Sequence, residues 1–347
     1  MWGFPTTARR VWRDSDPDHG TRYEQLLSET AWTFPDEPAS WWKPMLDLTS
    51  LSDFTDDAST LGSRELHAGS PSDRDLQRAE GYCKIVLSGS QNGTRIMDVF
   101  QRSPIRVLFP RAGGAAIEEA VLVNTAGGIA GGDRLEYRVT ALGNASIAVT
   151  SQAAEKVYRA LREPARIATK LEAHEAARLA WLPQETIVFN WGRVSRKTEI
   201  DFSSGAEILV LEWLVLGRAE HGEEITGGHI SDGWRVKKDG RLIWADGFRA
   251  TDEVFSHLHR KPLLSNCRAV ATLIYFGPDL ETRLESFRDI APSLECHCGA
   301  TSVGGLMIVR FAAKMASDLR LTLRNVLQQF GREIGPGPFR VPKMWSC

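Results

Sequence analysis

From about residue 80 onward the apolar residues come in runs too short for most helices, broken every few positions by Gly, Asn, Asp or Pro. The runs include CKIVLS (83–88), TRIMDVF (94–100), IRVLF (105–109), EAVLVN (119–124), RLEYRVT (134–140) and ASIAVT (145–150), and the same texture continues to RAVATLIYF (268–276). They are rich in β-branched and aromatic residues, which suit a pleated, half-buried strand. GSQNG joins the first two runs, and Asp239-Gly240 sits in the middle of VKKDGRLIW; both are hairpin signals. Helical spacing shows in only two places. Leu280, Leu284, Phe287 and Ile290 fall on one face after Pro278. Leu319, Leu323, Val326, Leu327 and Phe330 fall on another, with Ser317 as the expected N-cap and Gly331 as the expected stop. The expected fold is therefore mainly β, with large stacked and mostly antiparallel sheets and two or three peripheral helices.

The first 75 residues differ. They hold seven basic against fourteen acidic residues and five of the eleven tryptophans, with no steady period of a strand or helix. They are expected to form an acidic, disordered extension to a β-rich domain over 76–347. The whole chain has a formal net charge of −2, which argues against a general nucleic-acid binder. Its longest apolar run, Ile208–Leu216, is interrupted by Glu212 and is too short to span a bilayer. The five cysteines are irregularly spaced, no signal-peptide pattern opens the chain, and the expected location is the cytoplasm.

The chemistry-bearing stretch is NTAGGIAGGD (124–133). Gly127 and Gly132 have the spacing of a phosphate-binding P-loop, but Asp133 and Arg134 follow where Lys and a hydroxyl are required. A carboxylate there repels phosphate, and a strand-like run follows where the dinucleotide pattern needs a helix. The four glycines, Gly127, Gly128, Gly131 and Gly132, are expected to shape a sharp turn and permit close backbone approach.

Several motifs in order carry a resemblance: VLVNTAGGIAGGDRL (121–135), TSQAAEKVYRA (150–160), LAWLPQETIVFN (179–190), LEWLVLGRAEHGE (211–223), VGGLMIVRF (303–311) and VPKMW (341–345). Over residues 76–347 the chain resembles the urease accessory protein UreD family, called UreH in some bacteria. The resemblance implies a stacked, partly β-helix-like fold. It also implies a scaffold or chaperone without catalysis, which with the helical protein UreF and the GTPase UreG docks on urease apoprotein. Nickel would be in transit through a water-filled tunnel, and no cofactor would be tightly bound.

A conduit needs weak, spaced oxygen sites, because an ion held by a full ligand set cannot leave. Three carboxylates in or beside apolar runs fit a transient nickel path: Asp133, Glu212 and Asp246. Each has a plainer use. Asp133 would cap the turn, Glu212 would pair with an arginine such as Arg218, and Asp246 would open the turn at Gly247. Glu155 and Lys156 are expected at an interface or tunnel wall, or as a local ion pair. Two alternatives stand beside this reading. One is a metal-dependent enzyme using Asp133, Glu212 and the Cys296-His297-Cys298 cluster, although the cluster's spacing does not match a zinc site. The other is a plain β-rich interaction domain.

Overall fold

The computed structural model describes residues 78–333 and 341–345, apart from Asn92, 111–118 and Pro262. The extension expected over residues 1–75 lies outside the described residues.

The described chain is mainly β, with strands in two sheets. The first sheet holds β1 (Glu80–Ser90), β2 (Gly93–Arg102), β5 (Arg134–Leu142), β8 (Ala165–Ala173), β11 (Arg193–Phe202), β13 (His229–Lys238) and β14 (Arg241–Thr251). Their order is β14-β13-β11-β8-β5-β1-β2. The second runs β16-β17-β15-β12-β9-β6-β4-β3. Its strands are β3 (Ile105–Leu108), β4 (Glu119–Asn124), β6 (Ser146–Ser151), β9 (Arg178–Trp181), β12 (Glu207–Leu216), β15 (Ala269–Phe276), β16 (His297–Val303) and β17 (Leu306–Ala313). Two short strands, β7 (Glu155–Val157) and β10 (Thr186–Val188), extend it off the main path.

Between β4 and β13 the long strands alternate sheets, so the chain winds as a β-solenoid. Strands of successive coils then run parallel, as in β5–β8, β8–β11 and β11–β13 on one side and β4–β6, β6–β9 and β9–β12 on the other. The sheets are thus mixed, and the expectation that they are mostly antiparallel is corrected. The physical reason lies in the turns. A short polar turn reads as a hairpin, yet most of these turns hand the chain to the facing sheet. Hairpins occur where the sequence signals them most strongly, at β1–β2 and β13–β14, with Asp239 and Gly240 both at positive φ.

Strand parity builds the core. Cys83, Ile85 and Leu87 of β1, and Val194, Ile200 and Phe202 of β11, point between the sheets. β12 is buried on both faces. Ile208, Val210, Leu214 and Leu216 join the inter-sheet core, while Leu209, Leu211, Trp213 and Val215 face a second core. That second core is closed by helices α2 (Leu280–Ile290) and α3 (Ala316–Glu333), which place Leu284, Phe287, Leu319, Leu323 and Leu327 against the sheet. Each such side chain contributes about 1.5–3 kcal/mol on burial. Both expected helices are present. α3 begins at Ala316 and passes through Gly331, because a helix docked on an apolar sheet tolerates one glycine. A third, α1, is a single turn at Asp252–Phe255.

Candidate functional site

The glycine loop packs across β7. Ile129 N–H donates to the Lys156 carbonyl at 2.7 Å, and Tyr158 N–H donates to the Ile129 carbonyl at 2.9 Å. The four glycines divide their work. Gly127 and Gly132 take positive φ, whereas Gly128 and Gly131 make room for neighbours. A Cβ on Gly128 would lie 2.4 Å from the Tyr158 ring, and one on Gly131 would lie 2.5 Å from Ala160 Cβ and 2.6 Å from the Glu163 carbonyl. Tyr158 is a partly exposed side chain that can swing; the Glu163 carbonyl is backbone and cannot. Gly131→Ala should therefore lower stability by about 1–3 kcal/mol, and Gly128→Ala by less, in paired urea titrations.

Asp133 is buried at the end of this loop. Its Oδ1 accepts from Ala79 N–H at 2.8 Å and its Oδ2 from Ala130 N–H at 2.7 Å. Both oxygens are committed to backbone, so the carboxylate fixes the loop onto the residue that leads into β1. Asp246, on edge strand β14, pairs with Arg310 of β17 at 2.5 Å.

Glu212 occupies different ground. It borders a cavity of about 40 Å³ between the two sheets, which also meets Asn124, Tyr137, Glu155, Trp181, Gln184 and Arg196. That volume is ample for water, since a polar cavity holds one once it exceeds about 10–15 Å³. Gln184 supplies a reason for water to be there: its Oε1 accepts from Arg320, while its buried Nε2 has no protein partner. Glu212 Oε1 accepts from Trp181 Nε1–H at 2.8 Å, and Oε2 accepts from Arg196 at 2.6 Å. Arg196 in turn forks onto Asp232, at 2.8 and 2.7 Å. These two lie directly opposite each other in the β11–β13 ladder. One buried guanidinium thus serves two buried carboxylates. Burial pushes the Glu212 carboxyl above its usual range; Arg196 opposes that shift and Asp232 adds to it. Burial works against the Arg196 charge as well, but Asp232 and Glu212 outweigh it and hold the guanidinium protonated.

Glu155 adds a third acidic group. Asn124 Nδ2 donates to its Oε2 at 2.9 Å, and among the described residues it has no ion pair. Its neighbour Lys156 is exposed on the opposite face of β7, as strand alternation requires, so the two do not form the local pair considered above. Burial raises the Glu155 carboxyl too, with Asn124 pulling the other way. A raised pKa means the folded state holds the proton more tightly. Stability is then lost as pH climbs through the ordinary carboxylate value and up to the raised one. Glu155→Gln should match the parent near pH 4, about the pKa of a free Glu, and exceed it at pH 7 in unfolding midpoint.

The structure therefore brings Glu212 and Glu155 to one cavity and leaves Asp133 and Asp246 outside its lining. Glu212 pairs with Arg196; Arg218, the partner considered from sequence, pairs with Glu223 at 3.1 Å. Sequence reasoning missed Arg196 and Asp232. Their signal was strand parity: in RVSRKTEIDF, Val194, Arg196, Thr198, Ile200 and Phe202 share one phase, and Ile230, Asp232, Trp234 and Val236 share another in HISDGWRV. A charge in the inward phase of a strand demands a buried partner. Cys296, just before β16, and Cys298, within it, lie away from this cavity. Among the described residues no three His, Cys, Asp or Glu side chains are grouped to hold a metal.

The sequence model of the UreD urease accessory protein family matches residues 79–346. The chain belongs to the UreD family. A relative from Xanthobacter autotrophicus, a urease accessory protein UreD, is 39% identical over 270 residues, covering 78% of this chain and 91% of that protein. UreD proteins of a Methylobacterium species and of Rhizobium etli are each 37% identical, covering 73% and 78% of this chain and 92% and 96% of their own. The match starts at residue 79, one residue before β1, and extends past Trp345, so the glycine loop, the cavity and the Arg196 cluster all lie within it. As a UreD protein, the chain is a maturation factor for urease without catalytic activity of its own, and its family takes part in assembling the urease nickel centre. No helix among the described residues is long and apolar enough to cross a membrane.

Proposed function

We propose that this chain acts in the cytoplasm as the scaffold that joins UreF and UreG to urease apoprotein, and that the inter-sheet cavity is a station for nickel on its way to the urease. The observation that carries the reading is the charge of that cavity. Glu155 and Glu212 face it and Asp232 stands behind; the one guanidinium there pairs with Glu212 and Asp232, and Glu155 has no ion pair among the described residues. A divalent cation relieves that imbalance. Glu212 is already held at both oxygens, so it offers attraction without a free ligand set, and Glu155 has the sparest protein contacts. Such a site attracts nickel without trapping it. Asp133 and Asp246 enter as supports, one holding the glycine loop and the other tying the two sheets together at an edge.

The test is co-expression with UreF, UreG and urease. Glu155→Gln combined with Glu212→Gln should leave the assembly intact by co-purification and light scattering. Urease nickel content, measured by atomic absorption, should fall at least tenfold, about 1.4 kcal/mol of lost facilitation. Full nickel loading with the doubly substituted protein would remove the cavity from the path. Loss of the assembly itself would favour the plain interaction domain, whose carboxylates serve structure alone.

A further inference from the structure

At the outer edge of the second, ten-stranded sheet, at the start of β16, lie two thiols. Cys296 immediately precedes the strand and Cys298 is its second residue. Both are half-buried against the second core, and, being two residues apart along the chain at the strand, they turn their side chains to the same side. The Cys298 thiol donates to the Ala291 carbonyl at 3.7 Å. His297, between them, is exposed on the opposite face. Cys267 lies nearby but is buried, and burial raises its pKa so that it stays a thiol.

We propose that Cys296 and Cys298 form a two-coordinate site for a soft monovalent cation of the copper(I) class. Ligand number and softness together select that class. Zinc requires four ligands, and borderline divalent ions such as nickel favour imidazole and carboxylate. Neither kind of additional ligand is grouped here, since no three His, Cys, Asp or Glu side chains converge among the described residues. A closed-shell monovalent ion needs only two thiolates. Its binding converts two thiols and one cation into an anionic bis-thiolate and two released protons, with no change of oxidation state. A disulfide is the poorer use of the pair. Residues two apart along a strand have Cα atoms about 6.6–6.8 Å apart, at the upper limit of what a disulfide spans. An ion between the sulfurs bridges them without bending the chain.

The site shares no residue with the inter-sheet cavity, so its occupancy is separable from nickel transfer. The test is an anaerobic titration of the full chain with copper(I) against bicinchoninate, a coloured competitor. The parent should withdraw one equivalent, and Cys296→Ser/Cys298→Ser should withdraw at least 100-fold less at the same competitor concentration. Copper(I) should also protect Cys296 and Cys298 of the parent from iodoacetamide, mapped by mass spectrometry, a measurement that needs no variant to fold. Equal uptake by the doubly substituted chain, protection at Cys347 instead, or equal protection by nickel(II) would each overturn the assignment.

Discussion

Arg196→Ala should be the most damaging single substitution in the inter-sheet core, lowering stability by about 3–5 kcal/mol, the cost of leaving a buried charge uncompensated. The guanidinium is the sole ion-pair partner of both Glu212 and Asp232 among the described residues, and all three are nearly inaccessible to solvent. Removing it leaves two carboxylates close together in a weakly polar interior. At about 2–4 °C per kcal/mol for a domain of this size, the unfolding midpoint should fall by about 6–20 °C. The pH dependence identifies the cause. The stranded carboxyls would have folded-state pKa values raised above their unfolded ones, so the deficit should shrink as pH falls through the carboxylate range and both become neutral. A deficit independent of pH would mean that lost packing, not stranded charge, explains the damage. Glu212→Gln provides the contrast. It keeps an oxygen for Trp181 or Arg196 while removing the surplus negative charge, so its cost should stay near 1 kcal/mol, an ordinary hydrogen-bond value.

Trp345→Ala should be nearly as costly, at about 3–5 kcal/mol, the usual range for a buried Trp or Phe truncated to Ala. The side chain is 1% exposed. It stacks on Trp213 at 5.9 Å between ring centres, and its Nε1–H donates to the Leu182 carbonyl at 2.9 Å. Arg320 lies over the Trp345 ring and also donates to Gln184 and Glu185. The VPKMW segment thus braces the stretch that carries Gln184 into the cavity wall. Calorimetry on Trp345→Ala should show the loss, and Trp345→Phe should recover most of it by restoring the stack without the hydrogen bond. If removing residues 341–347 left the unfolding midpoint unchanged, this bracing role would be wrong.

Both predictions rest on features that sequence reveals unequally. The local signals were legible. Alternation marked the strands, Asp239-Gly240 marked a hairpin, and two apolar stripes marked α2 and α3. Glu212 stood out because it broke an apolar run, and it proved to be buried. The glycine loop could be separated from a phosphate site by the identity of the next two residues alone.

The sequence by itself determined which residues form strands, which phase of each strand faces inward, and, through ordered motifs, the family. Those properties depend on neighbours along the chain and on short turns. Pairing depends on residues brought together from a distance, and only the tertiary structure decided it. The solenoid winding made neighbouring coils parallel, set Arg196 opposite Asp232 on the next coil, and brought Glu212 across from the other sheet. The same winding separated Asp133 and Asp246 from the cavity that receives Glu155 and Glu212. Inward parity tells a charge that it must find a partner; register between distant strands tells it which one.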